Sequence, residues 1–89
     1  MSDHRYEHVK SIWKAGDLKS FSTIFTIIPK SIISDDLGLN YGRFVPKIEN
    51  PILLSMGDIL RISKLTGVAF TALTQMVALE IEEKMTLKD

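Results

Sequence analysis

The chain is 89 residues long, has no cysteine, is 45% hydrophobic and 25% charged, and balances eleven basic against eleven acidic residues. That length holds one compact domain, and the absent thiols exclude a disulfide framework or a thiolate metal site, so apolar packing has to hold the fold together. The long uncharged stretches, such as Ser20 to Pro29 and Val68 to Leu79, carry Ser, Thr or Gln and fall short of the roughly 20 apolar residues of a membrane span. The polar start, with His4, Arg5, Glu7 and His8, does not read as a signal peptide, so the expected location is cytoplasmic, with no membrane partner.

Apolar residues recur at helical spacing in short stretches, with glycines and prolines falling singly between them. The pattern predicts an all-α fold, a small bundle of five to six helices in a single domain over residues 1–89. Arg5 to Ala15 sets Val9, Ile12 and Trp13 at helical spacing, and Gly16 follows as a C-terminal cap. Phe21 to Ile28 is rich in β-branched and aromatic residues, which suits a strand. Phe21, Ile24, Phe25 and Ile28 nevertheless follow i, i+3, i+4, i+7 and no partner strand is evident, so a short helix capped near Ser20 is expected. Pro29 suits the first turn of the next helix, which Ile32, Ile33 and Leu37 line and Gly38 ends.

Asn40 then caps a further helix at once, with Leu39 and Phe44 spaced as a hydrophobic staple; this helix runs to about Glu49 and is closed by Asn50 and Pro51. Ser55 and Asp58 form a near capping box ahead of a helix whose apolar face is Met56, Ile59, Leu60, Ile62 and Leu65, with Gly67 as its cap. A last helix over about 71–84, capped by Ala69 or Thr71, carries Leu73, Met76, Val77, Leu79 and Ile81. That stripe is wider than a small core covers, which predicts packing plus homodimer formation through this helix. Leu37, Leu39, Phe44, Ile48, Ile59, Ile62 and Leu65 are expected to share one core.

Two short helices separated by almost nothing make a helix-turn-helix over about 29–49, in which Gly38 tolerates the positive φ of the turn, Leu39 anchors it and Asn40 caps the second helix. The run ISDDLGLNYGRFVPKIENP from Ile33, continued after Ile52 and Leu53 by LSMGDILRISKLTGVAFTAL, resembles the helix-turn-helix of lambda repressor/Cro-type (XRE-like) regulators. Leu37, Gly38, Leu39 and Asn40 match the turn of that family, Ile48 and Glu49 the end of its recognition helix, and Leu65, Gly67 and Val68 a later cap. The resemblance implies a lambda repressor-like fold and a transcription regulator that binds double-stranded DNA, as a homodimer on paired half-sites, by docking the helix after Asn40 in the major groove. It implies a base-reading role for Arg43, whose guanidinium can donate two bonds to guanine, with Asn40 and Tyr41 reaching phosphate or a base beside it and Lys47 and Lys30 contacting phosphates. The sequence departs from the family by placing Gly42 and Pro46 within the recognition helix. Pro46 removes one N–H and crowds the carbonyl of Gly42, at about 3 kcal/mol, so a short, kinked or shifted helix is expected.

Other features point away from chemistry. Zero net charge counts against nucleic acid, although residues 1–64 hold a surplus of two positive charges and the remainder the opposite. Together with Pro46, this keeps a second function in view: a helical adaptor that binds a protein partner without DNA, on which Arg43 and Lys47 are a solvated face and Tyr41 a packing residue. His4 and His8 flank Glu7 at metal-ligand spacing but lack a third ligand and read as surface residues, and adjacent Asp35 and Asp36 point to different sides of a helix. Neither a Gly-rich phosphate loop nor a nucleophile elbow is present, so no catalysis, cofactor or small-molecule substrate is expected. Trp13, Phe21, Phe25, Phe44 and Phe70 read as core.

Overall fold

A computed structural model of the protein describes residues 3–85. Six α-helices succeed one another: α1 His4–Lys14, α2 Phe21–Ile27, α3 Lys30–Leu37, α4 Tyr41–Glu49, α5 Met56–Thr66 and α6 Phe70–Met85, with a 3-10 turn, Pro51–Leu53, between α4 and α5. No strand occurs among the described residues, and none of their helices is long and apolar enough to cross a membrane.

Local chemistry accounts for most helix ends. Asp3 caps α1 by accepting the Arg5 N–H at 2.9 Å, and left-handed glycines, Gly16, Gly38 and Gly67, come after α1, α3 and α5. Ser55 and Asp58 make the full reciprocal capping box at α5, with Asp doing what Glu or Gln does in the usual pattern. At α6 the carbonyl of Ala69 accepts the Leu73 N–H at 2.8 Å, so Ala69 stands at the cap position and Thr71 lies inside the helix. Val68 and Leu73, on either side of that cap, are both buried at the staple spacing. The turn between α5 and α6 is tied further by side chains: Ser63 Oγ donates to the Val68 carbonyl at 2.6 Å, and Thr66 Oγ1 accepts the Val68 N–H at 3.3 Å.

Three expectations need correction. Pro29 precedes α3 and does not occupy its first turn. Its backbone is extended (φ −55°, ψ 144°), and its carbonyl accepts the first free N–H groups, from Ile32 and Ile33. Ile28 ahead of it is extended too, as the clash with a following proline ring demands. Ser20 marks the start of α2 but does not cap its backbone: its hydroxyl bonds to those of Ser22 and Thr23, and the Ser22 N–H donates to Glu80 Oε1 of α6 at 3.3 Å. Finally, Pro46 does not shorten the helix after Asn40. α4 continues to Glu49, and the Asn50 N–H donates to the Pro46 carbonyl at 2.9 Å. Gly42 and Pro46 are both exposed, so water can take up the carbonyl that proline leaves without a donor, while Phe44 and Ile48 on the other face are buried.

One hydrophobic cluster joins all six helices. Phe21, Ile24 and Ile28 are wholly buried in it, which is why a segment of high β-propensity is helical: burial on a 3.6-residue period outweighs the local preference. Of the seven expected core residues, Phe44, Ile48, Ile59 and Ile62 are buried, and Leu37, Leu39 and Leu65 are half-buried at its edge. Phe25 bridges Phe21 and Phe44 by edge-to-face contacts, with ring centres 5.1 and 6.3 Å apart. Tyr6, absent from the expected aromatic core, is also buried, and its hydroxyl donates to Asp36 Oδ2 at 2.6 Å, joining α1 to α3. The stripe on α6 is mostly used internally: Leu73 and Val77 are buried, Met76 and Ile81 half-buried, and Leu79 is left outside. Of the expected stripe only Leu79 is exposed, and Met85 at the end of the helix is exposed as well.

Candidate nucleic-acid interface

The turn between α3 and α4 is closed by two backbone bonds. The Gly38 N–H donates to the Asp35 carbonyl at 3.0 Å, and the Leu39 N–H to the Ser34 carbonyl at 2.8 Å. This is the Schellman arrangement, and it requires the left-handed backbone of Gly38 (φ 69°, ψ 30°), which a side chain there would strain. Asn40 returns the chain to extended backbone, and its Oδ1 accepts the Arg43 N–H at 3.1 Å. The cap is thus where the residues predict it; Phe44, four residues on, is 2% exposed, and Leu39 is half-buried against the core.

The same geometry turns the leading end of α4 outward. Asn40, Tyr41, Gly42 and Arg43 are all exposed, Tyr41 at 53%, beside a cleft of about 320 Å³ lined by Gly38, Leu39, Asn40, Arg43, Phe44 and Lys47. Gly42 has a local reason as well: a Cβ there would lie 3.2 Å from Asn40 Oδ1, crowding the side chain that folds back over the first turn. Arg43 has no carboxylate partner among the described residues, so its guanidinium extends from the first turn with its donors open to a ligand.

The two lysines differ from Arg43. Lys47 Nζ donates to Asp58 Oδ2 at 3.0 Å, and Lys30 Nζ lies 3.8 Å from Glu49 Oε2 at the far end of α4. The resemblance implies that both face phosphates with free ammonium groups; the structure gives each an internal carboxylate and leaves Lys30 apart from the other four. Asp58 is the hub of this region. Its Oδ2 also accepts the Ser55 N–H at 2.9 Å, and its Oδ1 receives Arg61 Nη1 at 3.4 Å. Burial works to raise the Asp58 pKa, but the hydrogen bonds from Ser55 and the Lys47 ammonium outweigh it and hold the carboxyl below its ordinary value.

Arg61 is a member of this group that sequence reasoning missed. It is exposed, and it adds a second cation to the carboxylate that already holds Lys47, so the group as a whole carries one net positive charge. Its spacing of three from Asp58 on an expected helix was the available signal. Among the described residues no three His, Cys, Asp or Glu side chains gather where they could hold an ion. Set against models of protein families, curated proteins and solved structures, the chain matches none of them.

Proposed function

We propose that the protein is a small DNA-binding regulator of the lambda repressor-like, helix-turn-helix type, with α4 as the helix that enters the major groove. The observation that carries this reading is the division of α4 into an inner face, Phe44 and Ile48, fixed in the core, and an outward leading end, Asn40 to Arg43, held by the Gly38 turn and the Asn40 cap. Residues at the start of a recognition helix approach base edges, and Arg43 carries the planar fork of donors that fits guanine O6 and N7. Tyr41 and Asn40 bring a hydroxyl and an amide beside it, and the positive end of the α4 dipole favours a phosphate close by.

Lys47 takes a smaller part than a free lysine would, since a phosphate has to draw its ammonium from Asp58. Arg61 shares the same carboxylate, so the pair presents its net charge to the DNA backbone as one unit. The neutral total charge does not oppose this arrangement, because recognition depends on the local sign of the docking face.

Selection of duplexes from a random pool, with titration of single-base variants of the selected site, tests the reading. Arg43→Ala is expected to lose about 1–3 kcal/mol of discrimination at one base pair, leaving the other positions unchanged. Failure to select any duplex at low salt would sink the proposal and favour the adaptor function.

A further inference from the structure

Asp58 carries a charge that its place in the helix cap does not require. Its carboxylate closes the capping box of α5 by accepting the Ser55 N–H at 2.9 Å. That bond needs an oxygen and no charge, since a neutral Gln fills the same position in the usual box. The other partners are cations. Lys47 Nζ, from α4, donates to Oδ2 at 3.0 Å, and Arg61 Nη1, one turn further along α5, reaches Oδ1 at 3.4 Å. The three side chains differ in freedom: that of Asp58 is 7% exposed and fixed by its cap, whereas those of Lys47 and Arg61 are 37% and 57% exposed. The anion therefore stays in place while both cations can swing to another acceptor. Lys47 also lines the cleft that Asn40 and Arg43 border, which sets the group at the edge of the outward end of α4.

We propose that Asp58 is a built-in competitor of DNA phosphate: a positioning residue that holds Lys47 and Arg61 side by side and restrains the sequence-independent part of binding. The inference rests on the DNA reading of α4. Phosphates attract cations whatever the base sequence, so a docking face with every cation free binds arbitrary DNA tightly. A carboxylate within the face stands in for phosphate, and a phosphate gains Lys47 or Arg61 only by displacing it. Arg43, with no carboxylate partner among the described residues, escapes this restraint and keeps its fork of donors for a base. Neutralising Asp58 raises the charge of the group from one positive to two and adds the counterion release of about one phosphate. Every duplex shares that gain, so tighter binding comes without better discrimination.

Asp58→Asn and Asp58→Gln test this. Each keeps an oxygen for the Ser55 N–H, and Gln restores the usual capping box, so either variant suffices if the other does not fold. Affinity for a duplex of arbitrary sequence is measured by fluorescence anisotropy from about 50 to about 200 mM salt. The variants are expected to bind about tenfold tighter than wild type at the lower salt, and to steepen the fall of log affinity with log salt by about one. A purely structural role predicts the opposite, because a partly unfolded population lowers affinity and adds no phosphate contact. A wild type that binds DNA, with variants whose affinity and slope equal or fall below its own, would overturn the inference and leave Asp58 as a brace between α4 and α5. Wild type and variants that all fail to bind any duplex would overturn the DNA reading, and this inference with it.

Discussion

Phe44 links the core to the outward end of α4, because the ring that Phe25 contacts from α2 belongs to the residue immediately after Arg43. Truncating it to Ala is expected to cost about 3–5 kcal/mol, a large share of the stability of a domain this size, and equilibrium unfolding in denaturant measures that directly. Asp58 makes a different contribution, through its charge. Its carboxyl is held below its ordinary value in the folded protein, so between that lowered value and about 4, where a carboxyl in the unfolded chain titrates, the unfolded state binds more protons than the folded one. The resulting stabilisation is complete above about pH 4 and is lost as pH falls through the folded value. Asp58→Asn is expected to be less stable at neutral pH and to show a shallower decline on the acid side, which a series of melts from neutral to low pH would record. At the other limb, burial and the bond to Asp36 push the Tyr6 hydroxyl above its ordinary value. Above about pH 10 the unfolded chain therefore ionises first and stability falls as pH rises; Tyr6→Phe is expected to lose the bond to Asp36 and to flatten that alkaline decline.

Among the elements, α4 is the one whose sequence and structure are at odds. It keeps nine helical residues although Pro46 deprives it of a backbone bond, and the burial of Phe44 and Ile48 offsets that loss. Pro46→Ala restores the N–H and removes the ring, so it is expected to raise the unfolding free energy by up to about 3 kcal/mol, measured by denaturant titration; an unchanged or lower value would mean that the proline backbone already fits its site. Element ends were legible wherever the determining residues are close neighbours in sequence: Gly38 with Asn40, Ser55 with Asp58, and Val68 with Leu73 each announce a boundary through local hydrogen bonding or a local staple. The start of α2 was legible at Ser20 but its cap was not, because the carboxylate that accepts the Ser22 N–H belongs to Glu80, 58 positions along the chain. The pairing of Tyr6 with Asp36 and of Lys47 with Asp58 escaped for the same reason, as neither spacing is periodic in any single element. The turned-out Ile52 and Leu53 were hidden by a 3-10 turn that a reading of Pro51 as a stop signal passed over.

At the scale of the whole molecule, the fold divides two exposed regions of opposite character. One, at the leading end of α4 and around Asp58, is polar and cationic; the other, over the 3-10 turn and the start of α5, exposes the apolar side chains of Ile52, Leu53 and Met56. The exposure of Asn40, Tyr41 and Arg43 was legible from the cap at the start of α4, and the carboxylate partners of the lysines, which are tertiary, were not. The proposed docking of α4 on DNA is tested by the affinity of the wild-type chain for duplex DNA, by fluorescence anisotropy, as salt rises from about 50 to about 200 mM. Binding at the lower concentration, with log affinity falling linearly against log salt as phosphates exchange their counterions for Arg43, Lys47 and Arg61, is the predicted result. Absence of binding to any duplex at the lowest salt, or an affinity indifferent to salt, would contradict it.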